Sequence, residues 1–451
     1  MQSASDPQSA SDLRGGKESM RLRRKGTNEA GPDAMSVATP NRALSHGAEE
    51  RRVLSVACGA HALHDGFTDL LYVLLPLWRA EFGLGYAEIG LLRALYAGAM
   101  AGFQIPAGML AARFGGPLLL ALGTALAGIG YLIAGASGGF VLLALGLLVG
   151  GLGSSTQHPI ASDLVAHGFA GARSRPALGT YNFAGDLGKM ALPAATALLL
   201  AWMPWRSTAL ALGVLGLAGA VLILALLPRA TAGSPASGSP PASGSPPAPD
   251  PAGPAASVRP MSPARGSGFP ILLAIGVIDS ATRMAFLTFL PFLLTAKGAP
   301  LPTVGLGLTL VFAGGAAGKL VCGFLGARLG MFRTVFLTEA ATALGIAALV
   351  PLGLEPALML LAPIGVALNG TSSVLYGTVP ELVPSERRAR AFGAFYTGTI
   401  GSGAVSPIAY GLFGDAVSLS TTVLLIAGVV LLTLPLAWRL DAHLASAPGA
   451  R

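Results

Sequence analysis

Twelve long apolar segments recur along the chain, and they constrain its fold more than any other feature. A helix needs about 20 apolar residues to cross the hydrocarbon core of a bilayer. Only 11% of the residues are charged, against about 25% in soluble domains. The sequence therefore predicts an all-α membrane protein with twelve transmembrane helices. The segments cover residues 53–78, 87–111, 117–136, 139–163, 177–201, 207–227, 270–295, 302–326, 331–352, 356–380, 391–413 and 418–438.

Polar stretches arrange these segments as six helices, a linker and six helices. Residues 1–52 are rich in Arg and poor in aromatic residues, which predicts a disordered basic tail. Residues 229–268 are dense in Pro, Ser, Gly and Ala, which predicts a flexible linker. The two bundles then cover residues 53–228 and 269–440, and residues 441–451 form a second tail. The chain has three possible starts: Met1, Met20 and Met35.

The distribution of Lys and Arg predicts the orientation of the helices. If the amino terminus is cytoplasmic, 22 of the 29 Lys and Arg residues lie on the cytoplasmic side, 3 on the opposite side and 4 within helices. Cytoplasmic loops of membrane proteins carry such an excess of positive charge. We therefore expect a protein of the inner or plasma membrane with both termini in the cytoplasm. The net charge of +8 falls in the tail and loops, so it does not indicate nucleic-acid binding.

The two groups of six segments share an internal repeat. The sequence GMLAARFG at 108–115 follows the second segment, and GFLGARLG at 323–330 follows the eighth, 215 residues later. Parallel repeats of six helices are related by an axis along the membrane normal. Other residues pair at nearly the same offset: Asp65 with Asp279, Gly179 with Gly393, and Pro193 with Pro407.

These motifs resemble those of the major facilitator superfamily, whose loop between helices two and three carries a similar Gly-x-Leu-x-Ala-Arg-x-Gly signature. Within it, HALHD at 61–65 and GLGSSTQHP at 151–159 resemble the fosmidomycin-resistance exporter group. The resemblance implies two homologous six-helix bundles, with helices one, four, seven and ten lining a central cavity. The chain departs from the superfamily pattern at Ala112 and Ala327, where an acid usually precedes the Arg. It also lacks the Gly before Pro193 that the antiporter signature contains.

Ionisable residues in a membrane span are costly, so each suggests a function. Coupling to protons needs a group whose protonation changes during the cycle, and His and buried Asp both fit this role. We predict Asp65 as the coupling residue, assisted by His61, His64 or His158. The alternative is that these polar groups are satisfied by neighbouring helices. Asp186 and Lys189, three residues apart, are predicted to form such a structural pair.

Arg93 and Lys319 have no acid nearby on their own helices, so we expect them to bind an anionic group of the substrate. Polar residues on the fourth, seventh and tenth segments are further predicted substrate contacts: Ser155, Asp279, Arg283, Ser373 and Tyr376.

Charges at the cytoplasmic helix ends predict a gate that clamps and releases as the halves rock. An alternative is that they provide only positive-inside charge and pairing at helix ends. The predicted gate residues are Arg113, Asp163, Arg328, Glu381 and Arg387.

Several chemistries have no sequence signal. The chain has no phosphate-binding loop, no Cys/His pattern with metal-ligand spacing and no cofactor motif. We expect a monomeric transporter, not an enzyme, which moves a small molecule across the lipid bilayer by using the proton motive force. Export of a small organic anion or drug is the favoured direction, with proton-coupled uptake of an anionic metabolite as the alternative. An intramembrane enzyme and a channel are more remote alternatives.

Overall fold

A computed structural model describes residues 40–169, 173–227, 268–384 and 387–445, and these residues form helices joined by short turns. Most of the predicted basic tail and linker and the last residues of the chain lie outside this part. α1 begins at Pro40, well before the predicted start of the first segment at Val53, so the end of the predicted tail is helical. The fourteen helices of the described ranges are α1 Pro40–Phe82, α2 Tyr86–Gly102, α3 Gln104–Phe114, α4 Gly116–Gly135, α5 Phe140–Ser154, α6 Gln157–Gly168, α7 Ser174–Leu199, α8 Trp205–Leu226, α9 Gly268–Ala296, α10 Leu301–Leu349, α11 Leu354–Leu382, α12 Arg388–Ala416, α13 Leu419–Val430 and α14 Thr433–Ala445.

These helices form twelve spans, because three spans are broken and one helix contains two. α2 and α3 make one span bent by 44°. α5 with α6, and α13 with α14, likewise form single spans. α10 has 49 residues, about 74 Å at 1.5 Å per residue, which is far more than a bilayer needs. It is broken at Gly330, whose φ of 80° is not helical. The prediction of twelve helices in two bundles is confirmed.

Three of the twelve spans are less apolar than the others. By length and hydropathy, seven of the described helices are able to cross a membrane, or eight when the bent pair α2–α3 is counted as one span. α1, α7 and α12 fall outside this set. α1 and α7 contain Asp65, Asp69, Asp186 and Lys189, and α12 is rich in Gly and Ser.

Two glycines confirm the internal repeat in the backbone. Gly115 lies between α3 and α4 with φ 92°, and Gly330 lies at the corresponding place in the second half with φ 80°. Positive φ in this range strains any residue with a Cβ atom. The second and third spans of each half are thus joined by the same type of tight glycine turn.

The buried apolar side chains show which ends of the two halves meet. One core cluster combines residues of both halves, among them Trp78, Tyr96, Phe286 and Phe289, and it lies toward the ends of the helices opposite the chain termini. At the terminal end the halves have separate clusters. One includes Val56 and Ile160, and the other includes Leu272 and Val335. The halves therefore share a core at the end opposite the termini and have separate cores at the end near the termini. We call the first the outer end, after the predicted orientation, and with that orientation the arrangement is inward-facing.

α2 and α12 make the tightest contact between the halves at the outer end. A Cβ atom on Gly90 would collide with the carbonyl of Pro407, and one on Gly411 would collide with the carbonyl of Tyr86. The carboxylate of Asp415 accepts hydrogen bonds from the backbone N–H groups of Tyr86 (2.6 Å) and Ala87 (2.9 Å). An acid at the end of α12 thus caps the first turn of α2 in the other half.

Candidate substrate and proton site

Three basic side chains surround Asp65 in the interior of the first half. Its carboxylate oxygens lie 3.2 Å from Nζ of Lys189, 3.3 Å from Nε2 of His61 and 3.7 Å from Nε2 of His158. Asp65 and His61 come from α1, His158 from α6 and Lys189 from α7. The predicted association of Asp65 with His61 and His158 is present, and the fifth span adds a lysine that the sequence did not place there.

Glycines on α7 bring Lys189 to Asp65. A Cβ atom on Gly185 would lie 2.6 Å from Cε1 of His61, and one on Gly188 would collide with the carbonyl of Ala62. Small residues allow helix backbones to approach closely in membranes. The break between α5 and α6 at residues 155–156 ends one helix and begins the next, just before His158.

The hydrogen bond between His61 and a backbone carbonyl determines which ring nitrogen of His61 carries the hydrogen. Nδ1 lies 2.8 Å from the carbonyl oxygen of Tyr181, and the two rings stack with centroids 4.1 Å apart. A carbonyl only accepts, so Nδ1 carries the hydrogen. In a neutral imidazole, Nε2 is then an unprotonated acceptor, and it faces the carboxylate of Asp65. A proton on either Nε2 of His61 or the carboxylate of Asp65 turns this contact into a hydrogen bond. The pair can therefore bind one proton between its two side chains.

His64 points away from this group. Its Nε2 lies 2.8 Å from Oγ1 of Thr124 on α4. The Thr124 hydroxyl donates to the carbonyl of Leu120, so it accepts from His64. The sequence placed His64 on the same polar stripe as Asp65, but the two side chains make no direct contact.

Lys319 joins the two halves. Its Nζ on α10 lies 2.7 and 2.9 Å from the two carboxylate oxygens of Asp186 on α7. Lys189 is 4.0 Å from Asp186. The pairing predicted between Asp186 and Lys189 is therefore the weaker of two contacts, and the closest partner of Asp186 comes from the other half.

Arg93 is buried rather than presented to a ligand. Its side chain is 4% exposed. The guanidinium donates to the hydroxyl of Tyr72 (3.0 Å), lies over the Tyr72 ring and is 3.9 Å from Asp69. In this conformation Arg93 ties α2 to α1, and a substrate contact for Arg93 stays a prediction.

The exposed side of the cluster is basic. The side chains of Lys319, Lys189 and His158 are 44%, 32% and 30% exposed, whereas Asp186 and Asp65 behind them are 15% and 10% exposed. The accessible atoms of this cluster therefore belong mainly to its basic side chains.

The remaining predicted substrate contacts divide between the halves, with Ser155 in the first and Asp279, Arg283, Ser373 and Tyr376 in the second. Ser155 donates to the carbonyl of Leu152 on its own helix. Tyr376 packs against Phe395, and Ser373 is exposed. Arg283 lies 3.9 Å from Asp279, which is 4% exposed.

Comparison with known proteins identifies the family. The family model described as Major Facilitator Superfamily matches residues 57–275 and 271–449. The chain belongs to the Major Facilitator Superfamily. It is a multi-pass membrane transporter with a small-molecule substrate, not an enzyme. A search of curated protein sequences gives no match.

Solved structures of two transporters share the fold. A bacterial homologue of the human lysosomal transporter Spinster, in an inward-facing and occupied conformation, superposes with a TM-score of 0.67 at 14% identity, over 88% of this chain and 96% of that one. The nucleoside transporter NupG gives a TM-score of 0.67 at 13% identity, over 87% of this chain and 98% of that one. At these identities the likeness shows the fold alone.

The residues predicted to form a cytoplasmic gate lie at the end where the halves have separate cores. Arg113, Arg328, Glu381 and Arg387 are exposed, and Asp163 pairs with His167 on its own helix at 3.1 Å. Among the described residues, none of these five pairs across the halves. The halves have separate cores at this end, so the gate stays a prediction.

The Asp65 cluster also has ligand atoms close enough for a metal ion. One atom each of His61, Asp65 and His158 lies within 4.8 Å of the others. Sequence spacing could not reveal this group, because His158 comes from another span. The ammonium of Lys189, 3.2 Å from Asp65, supplies a fixed positive charge that opposes a bound cation.

Proposed function

We propose that the protein is a proton-coupled exporter of a small organic anion or drug, similar to the fosmidomycin-resistance exporters. It works by alternating access in the inner membrane, with both termini in the cytoplasm. No cofactor is needed, because the proton motive force drives the cycle. The motifs at 61–65 and 151–159, which resemble those of the fosmidomycin-resistance exporters, support this choice of exporter group. The histidines of the two motifs, His61 and His158, lie together in the structure, with ring centroids 5.3 Å apart.

The contact between His61 and Asp65 is the observation that carries the proton coupling. Nδ1 of His61 is committed to the Tyr181 carbonyl, and so Nε2 and the carboxylate of Asp65 share a place for one proton. Lys189 is bound to the same carboxylate. When the His61–Asp65 pair takes up a proton, the ion pair between Asp65 and Lys189 weakens. When the proton is released, this ion pair strengthens again.

The basic exposed side of the cluster supports an anionic substrate. Lys319 and Lys189 are its most accessible charges, and both are neutralised by acids of the protein. An anion entering from the cytoplasm competes with Asp186 for Lys319. Because the Lys319–Asp186 pair crosses the halves, substrate binding and rocking of the halves are linked at one contact.

Proton movement in inside-out vesicles with an acidic lumen tests the proposal. The added compounds are fosmidomycin, a set of small organic anions and a few cationic drugs. We expect an anion to evoke proton efflux from the lumen, and Asp65→Asn to abolish the response. Anion-evoked proton entry would instead indicate an uptake symporter. No response to any compound, from protein shown to be folded, would contradict the proposed substrate class.

A further inference from the structure

Two acids lie buried beside each other in the second half of the protein. Asp279 on α9 is 4% exposed and Glu339 on α10 is 1% exposed, and their carboxyl groups are within hydrogen-bonding reach of each other. One base accompanies them: Nη2 of Arg283 lies 3.9 Å from Oδ2 of Asp279. A buried charge without a counter-charge is strongly unfavourable.

The charges balance around Asp65 but not around Glu339. In the Asp65 region each of three acids has its own base: Asp65 with Lys189, Asp69 with Arg93, and Asp186 with Lys319. In the second half, two acids share the single positive charge of Arg283. One negative charge in this group is left uncompensated if both acids are ionised.

The hydrogen bonds of Glu339 point to what supplies the missing charge. Among the described residues no donor reaches Oε1 of Glu339, although this atom is fully buried. Two carboxylate oxygens only accept hydrogen bonds. Asp279 and Glu339 can bond to each other only when one of them carries a proton, and that proton also removes the excess charge.

Among the side chains that the structure describes, Arg283 is the only base that acts on the two acids. The titratable side chains that face the group are Tyr376 from α11, with Tyr396 of α12 behind it, and Tyr72 from α1. α13 has no titratable residue, and Arg439 and Asp441 of α14 are exposed.

We propose that the carboxyl pair Asp279–Glu339, held beside Arg283, binds one exchangeable proton and forms a second proton site separate from the Asp65 cluster. This gives Asp279 a different role from the substrate contact that the sequence suggests. The participation of the site in transport rests on the proposed function, whereas the bound proton itself does not.

The internal repeat shows how the two halves differ at the positions that form this site. Asp279 corresponds to Asp65, but the residue that corresponds to Lys189 is Gly403, so Asp279 has no lysine. Glu339 corresponds to Thr124, the partner of His64. One half therefore compensates its central acid with a lysine, and the other half places a second acid beside it.

Infrared spectroscopy of the purified full-length protein tests the site without a substrate. A protonated carboxyl has a C=O stretching band that carboxylates lack. We expect wild-type protein at neutral pH to show such a band, shifted in D₂O, and Glu339→Gln and Asp279→Asn each to lose it. Glu355→Gln, at an exposed position of α11, should keep it. Identical spectra of wild type and Glu339→Gln in this region would overturn the proposal.

Thermal unfolding in sodium chloride and in choline chloride separates a proton from a metal cation. We expect equal unfolding temperatures in the two salts. If sodium raises the unfolding temperature of the wild type but not that of Glu339→Gln, a sodium ion rather than a proton occupies the site. Size-exclusion profiles check that each variant is folded.

Vesicle transport tests the role of the site in coupling. With the anion that evokes proton movement in wild type, Glu339→Gln should abolish that movement, while exchange of labelled for unlabelled anion persists. Full proton movement in Glu339→Gln would overturn the coupling role and leave the proposed function intact. A silent wild type contradicts the proposed function, and the infrared result still decides whether the proton is bound.

Discussion

At the scale of single residues, ion pairs decide which charges a substrate meets. Lys319 is bound to Asp186 across the halves and remains 44% exposed, whereas Arg93 is 4% exposed. Both were predicted from the sequence as anion-binding residues. The structure distinguishes them, because Arg93 is enclosed by Tyr72 and Asp69 and Lys319 stands at the accessible edge.

Replacing Lys319 should therefore weaken the binding of an anion. We expect Lys319→Gln to raise KM by about 10-fold or more, since a hydrogen bond to a charged group contributes about 1.5–3 kcal/mol. The measurement is the concentration dependence of anion transport into vesicles. Arg439→Gln, which removes an exposed charge of α14, serves as the control. An unchanged KM in Lys319→Gln would contradict the anion site.

At this scale, the sequence cannot predict which charged residues pair between different helices. Asp65, His61 and His158 were predictable, because ionisable residues in apolar helices are few. The partners of Asp186 and Lys319 were not, because the two residues are 133 positions apart and only the packing of α7 against α10 brings them together. The same holds for Asp279 and Glu339.

At the scale of elements, glycines set how closely helices approach and where they break. The lengths of the apolar segments predicted the spans, including the division of α10 near Gly330. The breaks at Phe103 and at residues 155–156 each lie about one turn before a proline. Pro106 and Pro159 have no N–H to donate to the carbonyls of Gly102 and Ser155, and such a proline kinks or breaks a helix. The lengths of the apolar segments do not show these breaks, whereas the two prolines mark them.

Gly188→Ala should destabilise the contact between α1 and α7. The new Cβ atom would collide with the carbonyl of Ala62, and overpacking costs about 1–3 kcal/mol. The matched control is Gly179→Ala on the same helix, where nothing lies within 4 Å. Thermal unfolding in detergent should show a lower midpoint for Gly188→Ala only. Equal midpoints in the two variants would mean that the helices do not pack this closely.

Gly330→Ala tests the break in α10. Its φ of 80° costs a residue with a Cβ atom about 1–2 kcal/mol. Gly323→Ala, in the same helix with helical geometry and open space around it, should be tolerated or stabilising. The comparison uses the same unfolding assay. A stabilised Gly330→Ala would indicate a continuous helix rather than two spans.

At the scale of the whole molecule, the two ends of the helices differ in how the halves pack. The halves share one core at the outer end and have separate cores at the end near the termini. Opening the outer end must therefore break the contacts between α2 and α12. The cap that Asp415 provides to Tyr86 and Ala87 is the polar part of that contact.

Removing the cap should shift the whole molecule toward the outward-facing state. Loss of a helix cap costs about 0.5–2 kcal/mol, which corresponds to a roughly 2- to 30-fold change in the ratio of the two conformations.

Spin labels at Ala136→Cys and Glu355→Cys, both exposed at the outer ends of different halves, report the distance between these ends once Cys58 and Cys322 are replaced. In Asp415→Ala we expect an added population at longer distance. Asp415→Asn, which keeps one acceptor oxygen, should give a smaller shift, and Asp441→Ala, at the opposite end, should give none. A distance distribution unchanged by Asp415→Ala would mean that apolar packing of α2 against α12 alone holds the outer end closed.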